Sequence, residues 1–430
     1  MEITVEPAAF CRGTITVPGD KSISHRAIIL SALTESTVEV EGFLNAEDPR
    51  STFQCMKHLG VQLEEDGQVI RVQGRGIDGL VEPSCVLDAG NSGTTARLLA
   101  GLLAGRPFHS VITGDDSLTK RPMARIAEPL KQMGAQIDGR KEGTLLPLSI
   151  RGGALSPITF HSPVASAQVK SAILLAALQA KGKTIITEPG LSRDHSERML
   201  LHLGVPINWG KSGEIIVEGP VKTLAAERIK VPGDISSAAF FLVAAALAPA
   251  GEIIVENVGL NPTRTGLLDV LLQMGVQLSV LNERVYNGEP VGDVCVKGGS
   301  RLRGVTVKSE MIPRLIDEIP VLAVAAVFAE GTTRIEGAGE LRVKESDRLH
   351  ALSRELGALG AEIKEFPDGL SIQGRKTLAG GRGYSHGDHR IAMALAVAGL
   401  FSEKETTIKG VESVEVSFPG FFELLKEITR

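Results

Sequence analysis

Two kinds of helix alternate along the 430 residues of this chain. One kind is apolar on nearly every side, as in SAAFFLVAAALA from Ser237 and IAMALAVAGLF from Ile391, a pattern that predicts burial on almost all faces. Helices of this kind are predicted to begin near Ser24, Gly93, Ser166, Ser236, Asp317 and His389. The other kind is amphipathic and closes on an apolar residue, a glycine and then a strand. It does so at Leu59-Gly60-Val61, Met133-Gly134-Ala135, Leu203-Gly204-Val205, Met274-Gly275-Val276 and Leu359-Gly360-Ala361, at spacings of 74, 70, 71 and 85 residues. Glycine fits the left-handed cap that ends such a helix, and the alternation after it predicts a strand. A sixth copy falls at the carboxy terminus, where Phe421 to Ile428 reads as a helix whose strands are expected from Ile3 to Val5 and Thr14 to Val17.

A longer repeat lies over the short one. Val17-Pro18-Gly19-Asp20 recurs as Val231-Pro232-Gly233-Asp234, an offset of 214, each copy followed by small polar residues and an apolar helix. Internal periodicity of this kind defines the fold class. The expectation is a two-domain inside-out α/β barrel of six repeated α/β units, three per domain, with sheets and amphipathic helices wrapped around three inner helices. The divisions are placed at the Val-Pro-Gly-Asp sites, giving a continuous domain 19–232 and a discontinuous domain of 1–18 plus 233–430 built from both termini. Two such hinges predict a structure that closes over an active-site cleft and excludes water.

Composition narrows the function. Hydrophobic residues at 43% and charged residues at 23% exclude a disordered, collagenous or disulfide-rich chain. A net charge of −5 gives no global field toward nucleic acid or an anionic membrane, and an aromatic content of 4% leaves few stacking platforms for bases. The strongly apolar run Ala238 to Ala250 is too short to span a bilayer, and the acidic start MEITVEP lacks the basic and apolar regions of a signal peptide, so a cytoplasmic protein is expected. Cys11, Cys55, Cys85 and Cys295 show no metal-ligand spacing and read as reduced, structural thiols.

Chemistry concentrates at the helix starts. Free N–H groups and the positive dipole end attract phosphates and carboxylates. The apolar helices begin among Lys21, Ser22, Ser24 and Arg26; Asn91, Ser92, Gly93, Thr94 and Arg97; and Ser166, Gln168 and Lys170. The amphipathic helices begin among Lys120-Arg121-Pro122, Ser192-Arg193-Asp194, Arg264, and Lys344-Glu345-Ser346-Asp347-Arg348. Cations there oppose the macrodipole unless an anion sits between, so their recurrence points to an anionic ligand. Other patterns carry less. Gly13 to Ser22 lacks the Gly-Lys-Ser/Thr ending of a phosphate loop. In Gly90-Asn91-Ser92-Gly93 the spacer after the serine of a nucleophile elbow is missing and no clear strand precedes it. His386-Gly387-Asp388-His389 reads as a capping Asp388 with structural histidines rather than a metal site.

Six separated motifs taken together resemble one family. Lys21-Ser22-Ile23-Ser24-His25-Arg26, Gly90-Asn91-Ser92-Gly93-Thr94, Lys120-Arg121-Pro122-Met123, Ser166-Ala167-Gln168-Val169-Lys170-Ser171, Arg342 to Arg348 and Asp388-His389-Arg390 are similar to those of the 5-enolpyruvylshikimate-3-phosphate synthases, across essentially the whole chain. The resemblance implies the enolpyruvyl transferase fold and transfer of the enolpyruvyl group of phosphoenolpyruvate to the 5-hydroxyl of shikimate 3-phosphate, without metal or cofactor, by a monomer, with glyphosate as a candidate inhibitor. It implies that Ser22, Arg26, Ser166, Gln168 and Lys344 hold shikimate 3-phosphate, that Arg121, Arg348 and Arg390 clamp phosphoenolpyruvate beside the Gly93 backbone, and that Lys21 touches both. It further implies Asp317 as base and Glu345, assisted by Lys21, as acid. From the residues alone Asp317 reads equally as a helix cap, and Glu318 beside it is not distinguished from it.

Departures from the family pattern are Val416, where members carry Lys before Ser/Thr-Phe-Pro, and Arg193 and Glu340, where they carry Tyr and Asn. The last two resemble a glyphosate-tolerant subgroup, whereas Gly93 stands where its members have Ala. The related transferase acting on UDP-N-acetylglucosamine presents a reactive Cys before the position of Arg121, and His109 to Lys120 contain none. A noncatalytic anion-binding protein would not need Lys21, Asp317 and Glu345 together.

Overall fold

The computed structural model describes residues 1–429. The chain forms two compact units, one of Met1–Pro18, Pro232–Arg284 and Pro290–Arg430, the other of Gly19–Val231 with the short piece Val285–Glu289.

Among the described residues, twelve helices of eight residues or more carry the architecture, here numbered in order. In the second unit these are α1 (Lys21–Ala32), α2 (Glu47–His58), α3 (Gly93–Leu103), α4 (Ala124–Gln132), α5 (Ala167–Ala177) and α6 (His195–His202). In the first they are α7 (Ile235–Leu247), α8 (Gly266–Gln273), α9 (Ile319–Val327), α10 (Arg348–Ala358), α11 (His389–Gly399) and α12 (Phe421–Ile428). Odd-numbered helices are the apolar ones, and every residue of α9 and α11 is buried. Even-numbered helices α2, α4, α6, α8 and α10 end on the expected glycines, with positive φ such as +88° at Gly60 and +107° at Gly134, a conformation that costs glycine nothing.

Each odd helix bridges two parallel strands. Leu87–Asp88 pairs in parallel with His109–Thr113 across α3, Thr159–His161 with Gly182–Thr187 across α5, Thr306–Val307 with Thr332–Ile335 across α9, and Gly381–Tyr384 with Thr406–Lys409 across α11. For α3, α5 and α9, two antiparallel strands complete a four-stranded sheet. At α1 and α7 the bridging strand comes from across a Val-Pro-Gly-Asp crossing. Gly13–Thr16, just before Pro18, pairs with Glu252–Gly259 after α7, and Arg228–Lys230, just before Pro232, pairs with Thr37–Glu41 after α1. This corrects one expectation. Glu2–Val5 joins the sixth sheet against Thr406–Lys409 as anticipated, but Gly13–Thr16 belongs to the sheet of the fourth repeat, leaving the sixth with three strands. A strand before a crossing stays with the unit it leaves.

Each unit has its own core around its odd helices. The carboxy-terminal helix is held by aromatic packing, with Phe421 at ring-centroid distances of 5.8 Å from Phe240, 5.5 Å from Phe241 and 5.4 Å from Phe418. Such tilted pairs add about 0.5–1.5 kcal/mol each beyond the area they bury. The cysteines form no disulfide; Cys11, Cys55 and Cys295 are buried, but Cys85 is exposed and has no structural role in the core. No helix among the described residues is long and apolar enough to cross a membrane.

Candidate active site

In the Gly19–Val231 unit the predicted residues gather at the amino-terminal ends of α1, α3 and α5. Asp20 caps α1 by accepting from Ile23 N, which fixes where Lys21, Ser22 and Arg26 emerge. Ser92 caps α3 through Thr95 N, so Gly93 supplies the first helical N–H. That assignment also answers the nucleophile-elbow pattern. A two-residue strand, Leu87–Asp88, does precede the motif, but the Ser92 hydroxyl is buried in the cap and bonded to Thr95 Oγ1 at 2.8 Å.

Arg26 is pinned by neutral groups. Its Nε donates to Ser196 Oγ at 2.7 Å, Nη2 to Ser171 Oγ at 2.7 Å and Nη1 to the Ser22 carbonyl at 2.9 Å. Lys21 Nζ lies 3.0 Å from Asp48 Oδ2. Gln168 is held from both sides, accepting from Arg97 Nη1 at 2.7 Å and donating to Thr94 Oγ1 at 3.0 Å. Arg121 reaches Asn91 Oδ1 at 2.7 Å and Ser117 Oγ at 3.2 Å, and its buried Nε has no hydrogen-bond partner among the described residues. Ser166 caps α5 without a side-chain bond into the helix, while its own N–H donates to Glu188 Oε1 at 2.9 Å.

Cations at helix starts were expected to await a ligand anion, and at several of them the protein supplies its own. Lys170 is buried, 2.7 Å from Glu197 and 3.1 Å from Glu188, and Arg264 is buried 3.0 Å from Asp234. Both are buried against carboxylates of the protein itself. Burial alone would lower the Lys170 pKa; the two carboxylates overturn this and raise it. Arg97 and Arg121, by contrast, meet only neutral acceptors among the described residues. Burial, with Arg121 and Arg125 nearby, holds the Arg97 guanidinium down at about 10. With no carboxylate on either, Arg121 is the one placed to favour a bound anion, since both Arg97 Nη groups are taken up by Gln168 and the Pro122 carbonyl.

His25 ties α1 to α3 through hydroxyls: its Nδ1 lies 2.7 Å from Thr52 Oγ1, which lies 2.7 Å from Thr95 Oγ1. Burial, with Lys21 and Arg26 adding to it and Asp48 opposing, lowers the imidazole pKa from 6.5 to about 3. The unfolded chain takes up this proton below about pH 6.5 and the folded chain does not, so stability is complete above that pH and is lost as pH falls toward 3. The loss from this group is about 2 kcal/mol at pH 5. The urea midpoint of His25→Gln is therefore expected to fall less between pH 7 and pH 5 than that of the native protein; parallel pH dependences would contradict a neutral buried His25.

The first unit holds Asp317, Lys344, Glu345, Arg348 and Arg390 around one buried guanidinium. Arg348, 1% exposed, places Nε 2.8 Å from Asp388 Oδ2, Nη2 2.7 Å from Glu345 Oε2 and Nη1 3.5 Å from Asp317 Oδ1. Lys344 Nζ stands 3.8 Å from the same Asp317 oxygen, and Arg390 Nη1 donates to the Asp317 carbonyl at 3.0 Å. Burial by itself would raise the Asp388 pKa, but Arg348 overrides it and holds the carboxyl below its usual range. Asp388 also caps α11 through Arg390 N, and His386 bonds Glu355 at 2.8 Å, which accounts for the Asp388 and His386 part of that motif without a metal. Glu318 turns away from this group and bonds Ser236 in the interior. Val416 ends the turn Val411–Val416 and brings no charge.

Asp48, Ser171, Ser196 and Asp388 are parts of the site that the sequence alone does not mark out. Ser171 and Asp388 stood inside motifs already singled out; Asp48, with no marked pattern around it, offered only its place in the first turn of an amphipathic helix.

Residues 5–425 match the family model described as EPSP synthase (3-phosphoshikimate 1-carboxyvinyltransferase). A protein of that name from Synechocystis is 54% identical over 434 residues, covering 100% of this chain and 97% of its own. Another from Desulforamulus reducens is 51% identical over 430 residues, covering 100% of this chain and 99% of its own. The solved EPSP synthase of Acinetobacter baumannii superposes with a TM-score of 0.90 at 45% identity, covering 99% of this chain and 98% of that one. With a match of this length in sequence and in fold, the chain belongs to the EPSP synthase (3-phosphoshikimate 1-carboxyvinyltransferase) family.

Proposed function

We propose that this chain carries out its family's reaction with the residues described above: the enolpyruvyl group of phosphoenolpyruvate passes to the 5-hydroxyl of shikimate 3-phosphate, and phosphate leaves. The product feeds chorismate and aromatic amino acid synthesis. The observation that carries the assignment of residues is the set of carboxylates around Arg348, in which Glu345 and Asp317 both lie against one buried cation. An addition–elimination needs a base and an acid, and one fixed guanidinium keeps both carboxylates in place.

In this proposal Asp317 removes the proton of the 5-hydroxyl as its oxygen bonds to C2 of phosphoenolpyruvate, and Glu345, with Lys21, delivers a proton to the methylene carbon. The tetrahedral intermediate then loses a proton from the new methyl group as the C2–O bond to phosphate breaks. Lys21, Ser22, Arg26, Ser166, Gln168 and Lys344 hold shikimate 3-phosphate; Arg121, Arg348, Arg390 and the Gly93 N–H hold phosphoenolpyruvate. The reading includes the domain division at Pro18 and Pro232, closure around the substrates, a monomeric chain and a cytoplasmic location. Glyphosate is included as an inhibitor competing for the phosphoenolpyruvate groups, since Gly93 carries no methyl to crowd it.

Purified protein is expected to release phosphate from phosphoenolpyruvate only when shikimate 3-phosphate is present, with no metal or nucleotide added, and glyphosate is expected to slow that release. Release with UDP-N-acetylglucosamine in place of shikimate 3-phosphate would overturn the substrate assignment.

A further inference from the structure

Gln168 is half-buried, and its amide has only two protein partners among the described residues: Arg97 Nη1 donates to Oε1 at 2.7 Å, and Nε2 donates to Thr94 Oγ1 at 3.0 Å. A reversed amide would set N–H against N–H at Arg97, so the guanidinium fixes which way the amide faces. In the fixed orientation one Nε2–H is left over. Arg97 is itself anchored by Nη2, which donates to the Pro122 carbonyl at 3.1 Å.

A second observation comes from Gly93, one turn before Arg97 on α3. A Cβ built at Gly93 would overlap Arg97 Nη1, the atom that bonds Gln168, whereas the next nearest atom outside Arg97, Leu118 Cδ1, stands at an ordinary 3.7 Å. The side chain at 93 and the Gln168 amide are thus connected through one guanidinium nitrogen.

We propose that Arg97 is a positioning residue that orients the Gln168 amide so that its free N–H faces an acceptor oxygen on the shikimate 3-phosphate, and that the size of residue 93 acts on the same subsite through Arg97. The proposal rests on the substrate reading above. It assigns Arg97 no contact with either substrate, and it separates two routes. Acting through Gln168, Arg97 governs shikimate 3-phosphate; acting through the Pro122 carbonyl, it would govern the neighbouring Arg121 and so phosphoenolpyruvate.

The test is steady-state kinetics on the full chain. Arg97→Met is expected to raise the KM for shikimate 3-phosphate by about tenfold, the effect of one hydrogen bond to a charged or well-placed group, with kcat and the KM for phosphoenolpyruvate nearly unchanged. Arg97→Lys, which keeps a donor for Oε1, should recover most of the loss. Arg97→Met combined with Gln168→Ala should be no worse than Gln168→Ala alone. Gly93→Ala should raise the same KM in the native background and not in Arg97→Met. A rise in the KM for phosphoenolpyruvate alone, or losses at 97 and 168 that simply add, would overturn the proposal.

An arm independent of turnover keeps it apart from the substrate reading. In ligand-free protein labelled with ¹⁵N-glutamine, the Gln168 side-chain signal, identified by its loss in Gln168→Ala, should be shifted and protected from exchange. It should move toward free-amide values in Arg97→Met and stay near native in Arg97→Lys. An unchanged Gln168 signal in Arg97→Met refutes the orientation even if catalysis is lost. A native protein inactive with shikimate 3-phosphate, but with the expected amide behaviour, would instead refute the substrate. Should Arg97→Met fail to fold, Arg97→Lys and Gly93→Ala read the same two quantities.

Discussion

Asp317→Asn is expected to lower turnover by about 10²- to 10⁴-fold while moving either Michaelis constant by less than about threefold. The substitution keeps the shape of the side chain and leaves the backbone carbonyl that accepts from Arg390 Nη1 at 3.0 Å. What it removes is the basic oxygen beside Arg348 and Lys344. If Asp317 served only as a local hydrogen-bonding group, as a helix cap does, Asn would serve nearly as well and turnover would stay within about tenfold of native. Glu318→Gln provides the contrast, because that carboxylate is 1% exposed and bonded to Ser236. It should affect stability first and leave the Michaelis constants and turnover of the folded fraction near native. Glu345→Gln should resemble Asp317→Asn in losing turnover, since a neutral amide cannot deliver the proton. Equal loss of binding and turnover in both variants would recast the two carboxylates as structural.

The unevenness of what the sequence disclosed has a physical pattern. Helices, their glycine caps and the strands after them were readable because each depends on neighbours within one or two turns, as at Leu59-Gly60-Val61. The pairing of Gly13–Thr16 with Glu252–Gly259 was not, because it joins segments more than two hundred residues apart and depends on where the chain crosses between units. The two-residue strand Leu87–Asp88 is too short to show any alternation. Among the site residues, the cations are legible together with the partners Asp317, Glu345 and Gln168, whereas Asp48, Asp234, Glu197 and Asp388 are not legible as partners. Arg264 and Lys170 looked like ligand-binding groups because nothing local to either reveals Asp234 or Glu197 beside it. Asp317 and Glu318 look alike in sequence; burial separates them, since Ser236, 82 residues away, takes up Glu318.

Loss of the Asp388 charge is expected to be the most damaging single change to the folded state. Asp388 is 0% exposed and Arg348 1%, and the pair is joined by Nε to Oδ2 at 2.8 Å and Nη2 to Oδ1 at 3.2 Å. A buried ion pair gains little over a well-packed apolar pair, yet removing one partner strands the other charge. Asp388→Asn should therefore cost about 3 kcal/mol, the low end for such a break, because Glu345 still faces Arg348. For a unit of roughly 200 residues that is a fall in melting temperature of about 6–12 °C. The pH dependence has a definite sign. The folded carboxyl is held below its ordinary range by Arg348, so its contribution is present above the unfolded value near 3.9 and is lost as pH falls below it. The gap between native and Asp388→Asn in urea midpoint should be full at pH 7 and narrow below about pH 4. Replacing both partners, in Arg348→Met with Asp388→Leu, should recover much of the stability and none of the turnover, since Glu345 and Asp317 lose the guanidinium between them. A single Asp388→Asn variant as stable as the native protein would mean that Glu345 and Asp317 alone suffice to hold Arg348.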